Sequence, residues 1–286
     1  MNTIIITGAT SGIGLEIARI LTRQKFMVIG VGHSKENCER AKEIILSENP
    51  AANITYFQAD LMQQKEILQL SEKIAEYINS NCNGKLYALI NNAGCVRSWY
   101  TTTDEGYEQQ FALNYLAAFL LTNKLFPFLQ ETNGRVFMTG SGSHKGIKVH
   151  WDDIMLRHGY NPLTAYKQSK LCDILFAKGL NDRYALSGIH AYVVDPGLVN
   201  TDIGNKKTGG LVNFIWTLRK HHGVPPSVPA ETYAFLCAQK EPPDGLYYYL
   251  CKEQTYSRQV TSENANRLFA LSERLCGINY SEGGLT

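Results

Sequence analysis

Charge of one sign is what this sequence most clearly lacks: 28 Lys and Arg stand against 26 Asp and Glu, for a formal net charge of +2. So small a surplus builds no field to gather nucleic acid or an anionic membrane, and a small molecule is the expected partner. Cysteine pairing is missing too. The seven cysteines (38, 82, 95, 172, 237, 251 and 276) are odd in number and never spaced Cys-x-x-Cys, which argues against a disulfide framework and a zinc site. A reducing, cytoplasmic setting is expected. His144, His150, His158 and the pair His221-His222 show no ligand spacing with acids or cysteines, so they are expected to be solvated and no metal site is expected. No uninterrupted apolar run approaches the roughly 18 residues of a bilayer-spanning helix. The opening Met1-Asn2-Thr3 leads straight into a β-like run, so neither a signal peptide nor a transmembrane segment is expected.

What is present is a repeated alternation of short apolar runs and amphipathic stretches. The length of 286 residues admits one large α/β domain or two small ones. Residues 3–7 form a β-branched run suited to a buried strand, and it breaks into Gly8-Ala9-Thr10-Ser11-Gly12-Ile13-Gly14. A helical pattern follows through Ile13, Ile17, Ile20 and Leu21, then a second strand over 26–31. Three glycines opening a helix directly after a strand set backbone N–H groups at its positive end, where a pyrophosphate binds closely. The spacing is Gly-x-x-x-Gly-x-Gly.

After the second strand an acidic residue would bond the adenosine ribose and repel a 2′-phosphate. Here His33, Ser34 and Lys35 come first and the first carboxylate is Glu36, a set suited to holding a phosphate and favouring NADP, with NAD the alternative. A helix over 36–47 leads to the alternating run 54–60, which places Asp60 at a strand's carboxyl edge, where it can accept from an adenine amino group or cap the next helix. A helix over 65–78, a strand over 86–90 and then Asn91-Asn92-Ala93-Gly94 follow, small and amide residues that let backbone approach a cofactor. Tyr166 and Lys170, four apart at the start of the apolar helical run 171–180, share one helix face, and a fixed cation there pulls a phenol's pKa down.

Thr7-Gly8-x-x-x-Gly12-Ile13-Gly14, Asp60-Leu61, Asn91-Asn92-Ala93-Gly94 and Tyr166-x-x-x-Lys170, in that order, resemble the short-chain dehydrogenase/reductase family, nearest its retinol-dehydrogenase-like branch. The resemblance spans roughly residues 3–202. It implies an α/β, doubly wound Rossmann fold in a single domain over 1–286, with about seven parallel strands and helices on both faces. It also implies an NADP-dependent oxidoreductase of a small apolar alcohol, aldehyde or ketone. Carried onto this chain, Tyr166 is the acid and base, and Lys170 lowers its pKa and holds the nicotinamide ribose. Ser141 donates to the substrate oxygen, with Ser143 as competitor because Gly140 stands where a first serine is usual. Asn114, within a long helix over 104–129, strains that helix and holds a relay water; the alternative is an amide satisfied by backbone. The cofactor contacts implied are Gly8, Ser11, Gly12, Ile13, Gly14, His33, Ser34, Lys35, Asp60, Leu61, Asn92, Ala93, Gly94, Tyr166, Lys170, Pro196, Gly197, Val199 and Thr201.

A strand over 189–194 precedes the Asp195-Pro196-Gly197 turn, and a last strand is expected over 246–250 and a helix over 262–275. Residues 202–229 read as a substrate lid in which Phe214, Ile215, Trp216 and Leu218 either cover an apolar substrate or rest on the core. Trp151, Met155 and Tyr160 either wall a pocket or pack on the surface, and 279–286 is expected to fray. The sequence is silent on oligomeric state, so a homo-oligomer stays open. A non-catalytic dinucleotide sensor or scaffold on the same fold is the rival reading, and it has no use for Ser141, Tyr166, Lys170 and Asn114 together.

Overall fold

An unbroken run of β-branched residues is stable as a strand only when both of its faces are covered. In the computed structural model, which describes residues 1–200 and 223–280, β1 (Thr3–Thr7) is buried along its whole length. The other strands are β2 (Met27–Gly32), β3 (Ile54–Gln58), β4 (Ala88–Asn91), β5 (Arg135–Thr139), β6 (His190–Val194), β7 (Tyr247–Tyr249) and β8 (Lys252–Glu253). They join in the order β3-β2-β1-β4-β5-β6-β7-β8. From β3 to β7 every pairing is parallel, as the doubly wound Rossmann fold requires. The eighth strand is additional, antiparallel to β7. Its two-residue turn holds Leu250 and Cys251 at φ 49° and 61°, a conformation usually signalled by Asn or Gly, so nothing in the sequence announced it.

The helices are α1 (Gly12–Arg23), α2 (Lys35–Glu48), α3 (Gln64–Asn81), α4 (Gln109–Gln130), α5 (Pro162–Tyr184), α6 (Ser227–Ala238) and α7 (Ser262–Cys276). Alternation along the strands divides the core between two faces. Ile4 and Ile6 pack with α1 and α6, while Ile5 packs toward α3, α4, α5 and α7.

The helix expected from residue 104 starts five residues later. Gly106 turns the chain at φ 85°, and the Glu108 carboxylate caps α4 by accepting from the Gln110 and Phe111 amides at 3.0 and 2.8 Å. By length and composition α4 could cross a membrane, although Asn114, Asn123 and Lys124 interrupt its apolar run and 78% of its apolar window is buried inside the molecule. Winding in α4 loosens to a π turn over Ala112–Leu116 and tightens again at Ala117.

Of the stretch 202–229 expected to form a lid, the structure describes residues 223–229. Residues 202–222, with Phe214, Ile215, Trp216 and Leu218, lie outside the described residues. Val224 bridges to Val199, and residues 227–229 are the first turn of α6, which Pro225-Pro226 introduce because proline suits a helix start. The expected fraying from 279 is also corrected. Tyr280 is buried, its ring lies 4.9 Å from that of Phe119, and its hydroxyl donates to the Phe119 carbonyl at 2.9 Å. Residues 281–286 lie outside the described ones.

Arg135 ties the sheet to α6. Buried at the start of β5, its guanidinium donates to the Leu236 and Gln239 carbonyls, each at 2.6 Å, and lies over the Tyr87 ring. These carbonyls close the end of α6, so Arg135→Met strands them and costs about 2 kcal/mol. A chemical-denaturation midpoint equal to the parent's would show that the contacts contribute nothing.

Candidate active site

In a parallel sheet the loops leaving the carboxyl ends of the strands gather on one edge, and a crevice opens where adjacent strands send their chains to opposite faces. Here β1 continues into α1 on one face and neighbouring β4 leads to α4 on the other. The two loops are laced together. Thr7 Oγ1 accepts from the Asn92 and Ala93 amides at 2.9 and 3.0 Å, and Asn92 Nδ2 donates to the Thr7 carbonyl at 3.0 Å. A Cβ on Gly14 would strike the Gly8 carbonyl oxygen and lie 2.6 Å from Asn92 Nδ2, so the approach tolerates only glycine. Ser11 sits extended at the N-cap of α1 and its side chain makes no cap bond. The positive end of α1, bare of side chains at Gly12 and Gly14, therefore fits a pyrophosphate. Ile13 is partly buried against the core that holds Ile4 and Ile6, and Gly94 faces the Asn114 amide.

Beyond β2, Ser34 caps α2 by accepting from the Asn37 amide at 3.3 Å. His33 and Lys35 extend into solvent with side-chain exposures of 76% and 81%. His33 Nδ1 is 3.8 Å from Asp60 Oδ1 and Lys35 Nζ is 3.7 Å from Glu39. Asp60 does not cap α3. Its Oδ1 accepts from the Met62 amide at 3.0 Å, while Glu105 takes the Gln64 amide at 2.8 Å. Leu61 is buried and lines a small cavity with Thr7, Ala93 and Leu113.

Further along the same edge, α5 begins at Pro162, with Asn161 Oδ1 accepting from the Leu163 and Thr164 amides at 3.0 Å each. This start fixes the phase of the helix and hence the direction of Tyr166. Lys170, one turn on, has its Nζ 5.9 Å from the Tyr166 ring centroid. Ser141 hydrogen-bonds the Tyr166 side chain, whereas Ser143 Oγ is buried without a partner among the described residues. Gly140 breaks the expected serine pair for a steric reason, since a Cβ there would lie 2.5 Å from Val193 Cγ1 on β6.

The electrostatics differ from the expectation in one respect. Lys170 and the Ser141 bond lower the Tyr166 pKa, but burial outweighs them and holds the phenol above its ordinary value, with Asp173 and Asp195 adding to the rise. Burial works against the Lys170 ammonium, but Asp173 and Tyr166 outweigh it and hold its pKa above the ordinary lysine value. Lys170 Nζ donates to the Thr139 carbonyl at 2.8 Å and to Asp173 Oδ2 at 3.0 Å.

Asn114 sits in the π turn of α4, the local irregularity expected of it, and such turns gather at functional sites. Its amide is fully engaged. Oδ1 accepts from the Cys95 amide at 2.7 Å, and Nδ2 donates to the Cys95 carbonyl at 3.1 Å and to Ser169 Oγ at 2.9 Å. The side chain thus clamps the loop after β4 to α5.

Pro196, Gly197 and Val199 follow β6 on the same edge, and Asp195 shapes their turn by accepting from the Gly197 amide at 2.9 Å and the Tyr247 hydroxyl at 2.7 Å. Thr201 lies outside the described residues. Trp151, Met155 and Tyr160 pack. Trp151 lies under the Arg267 guanidinium, Met155 joins the core, and the Tyr160 hydroxyl donates to Glu108 at 3.0 Å.

Several contributors went unnoticed in the sequence. His144, expected to be solvated, is fully buried. Its Nδ1–H donates to the Ser141 carbonyl at 2.7 Å and its Nε2 accepts from the Ser257 amide at 3.2 Å. Burial lowers its pKa, which matches that neutral tautomer. Asp173 had a visible signal: it is the carboxylate within the apolar run 171–180, three residues beyond Lys170.

The chain is similar to proteins already known. Residues 2–210 match the short chain dehydrogenase family. Human retinol dehydrogenase 13 is 32% identical over 290 residues, covering 96% of this chain and 85% of that protein. Human polyprenol dehydrogenase is 35% identical over 206 residues, 70% of this chain and 61% of that protein. Among solved structures, an uncharacterized protein from Mycobacterium Paratuberculosis superposes with a TM-score of 0.74 at 25% identity, covering 98% of this chain and 95% of that one. A short-chain dehydrogenase from Sphingobium yanoikuyae in complex with NADPH shares the fold, with a TM-score of 0.66 at 22% identity and 87% of each chain covered.

Proposed function

This chain belongs to the short-chain dehydrogenase family, and from that premise we propose that it moves a hydride between NADP(H) and the carbonyl or alcohol group of a small apolar molecule, with Tyr166 as general acid and base. An NAD(P)-dependent oxidoreductase acting on CH–OH groups is what the family and its retinol- and polyprenol-dehydrogenase relatives support. The observation that carries the assignment of roles is the meeting of Ser141, Tyr166 and Lys170 on the edge where the glycine turn opens.

A nicotinamide held there would supply or accept the hydride; this chain handles charge and protons. In reduction, negative charge builds on the substrate oxygen, and the Ser141 hydroxyl donates a hydrogen bond to it. The Tyr166 O–H bond breaks and its proton goes to that oxygen. Lys170 stabilises the phenolate left behind and presents a donor to the nicotinamide ribose. Asn114 keeps the loop carrying Cys95 in register with α5. With its pKa held above the ordinary phenol value, Tyr166 carries its proton at neutral pH, the form that reduction needs.

An apolar substrate is supported by the relatives' names, one for retinol and one for polyprenol. The NADP preference rests on His33, Ser34 and Lys35, with no carboxylate before Glu36. Following NADPH and NADH oxidation against a panel of apolar aldehydes, ketones and retinoids tests both parts. The double variant His33→Ala, Lys35→Ala is expected to raise KM for NADPH about tenfold, the equivalent of ~1.4 kcal/mol, and to leave KM for NADH within about twofold. Equal losses with both nucleotides, or a parent enzyme that prefers NADH, would remove the phosphate-binding assignment.

A further inference from the structure

We infer that Asp173 is a positioning residue for the acid/base pair: its carboxylate, closed off from solvent and bonded to the Lys170 ammonium, offsets that cation and keeps Tyr166 in its proton-bearing form, biasing the site toward carbonyl reduction. The inference rests on the reading of Tyr166 as the acid.

A carboxylate belongs in a buried position only when its charge and lone pairs are met. Asp173 is 1% exposed and lies on α5 among apolar neighbours, including Leu171, Cys172, Ile174 and Leu175. Its Oδ2 accepts from Lys170 Nζ at 3.0 Å, and its Oδ1 has no hydrogen-bond partner among the described residues. Packing alone would have been served by an apolar side chain, and among the described residues the carboxylate's hydrogen bond is to the lysine. That lysine also donates to the Thr139 carbonyl at 2.8 Å, which leaves the third ammonium hydrogen for the cleft.

Several titratable groups surround the pair. Tyr166 and Cys172 stand on α5 itself, Tyr115 comes from the π turn of α4 and Cys95 from the loop after β4, with Tyr233 on α6. Asp195 after β6, with Tyr247 bonded to it, faces Tyr166. Of these groups Lys170 is the cation, so its compensation by Asp173 decides how much positive charge Tyr166 experiences. Burial pushes the Asp173 pKa up to about 7 against the pull of Lys170. Below that pH Asp173 is protonated, the Lys170 charge stands uncompensated and the Tyr166 pKa falls; above it the carboxylate offsets Lys170 and the Tyr166 pKa rises. The two ionisations are therefore linked, and Tyr166 keeps its proton further into the alkaline range than a bare lysine would allow.

Asp173→Asn mimics the protonated carboxyl at nearly unchanged shape. The experiment compares pH profiles of kcat/KM in both directions for the parent and D173N. In D173N the alkaline limb of reduction and the acidic limb of oxidation are both expected to move about one pH unit toward acid, with each limb sharpened to a single ionisation. The second readout needs no turnover. The parent-minus-D173N infrared difference of the ligand-free full chain should show a protonated carboxyl that is lost as pH rises through about 7. Thermal unfolding establishes that each variant is folded, and Asp173→Ser takes the place of D173N should the latter not fold. Superimposable limbs, a shift toward alkali or a difference spectrum with no titrating carboxyl would each overturn the inference. Tyr166→Phe, run alongside, separates the two claims: parent-like turnover there defeats the acid assignment, while the infrared titration still reports on Asp173.

Discussion

Tyr166→Phe is expected to lower kcat by about a hundred- to ten-thousandfold while the cofactor dissociation constant stays within about twofold of the parent's. The substitution keeps the ring, and with it the packing of the first turns of α5, and removes only the hydroxyl that bonds Ser141. Lys170 keeps its bonds to Thr139 and Asp173, since neither involves the phenol. The loss should therefore fall on the chemical step and not on binding, which steady-state kinetics together with a fluorescence titration of NADPH would resolve. Turnover within about tenfold of the parent would remove Tyr166 as the acid, and an equal loss in binding would recast it as a binding residue.

Gly14→Ala should have the next largest effect, and through backbone geometry. The new methyl collides with the Gly8 carbonyl oxygen and meets Asn92 Nδ2 at 2.6 Å. Neither neighbour can give way cheaply: Gly8 is fixed at φ 66° in the turn and the Asn92 amide is bonded to the Thr7 carbonyl. Relief of the clash has to come from lifting the start of α1 away from β4. That costs about 2 kcal/mol of stability, and it displaces the N–H groups aimed at the pyrophosphate, raising the NADPH dissociation constant about a hundredfold. Thermal unfolding and the same fluorescence titration measure the two parts. Affinity within about twofold of the parent would mean that the phosphates do not rest on this turn.

The features legible in the sequence are those in which a local pattern and the tertiary environment coincide. The run at residues 3–7 announces a strand covered on both faces because β-branched residues repeat without a polar face, and β1 is such a strand. The glycine turn was readable because close approach of two backbones demands bare positions. Properties that depend on what a residue meets across the fold could not be read. Ala112–Leu116 has a helical composition, and what accompanies its π winding is long-range: the clamp between Asn114, Cys95 and Ser169 and the Tyr115–Ser272 bond. His144 looks like any polar loop residue until Ser257, more than a hundred positions away, supplies the donor for its second nitrogen. Tyr280 follows a helix end and reads as tail, yet the Phe119 carbonyl and ring anchor it. The direction of the Tyr166 pKa also escaped the sequence. The neighbouring cation is visible four residues away, whereas the burial that outweighs it is contributed by the whole site.

Transfer of an isotopic label tests the account most directly. The enzyme is supplied with NADPH carrying deuterium on one face of nicotinamide C4, then on the other, together with an apolar ketone or aldehyde, and the alcohol is analysed by mass spectrometry. The account predicts one deuterium on the carbinol carbon from one face and none from the other, at a rate that Tyr166→Phe depresses in proportion to kcat. Unlabelled alcohol from both faces, or no cofactor oxidation with any member of the substrate panel, would contradict it.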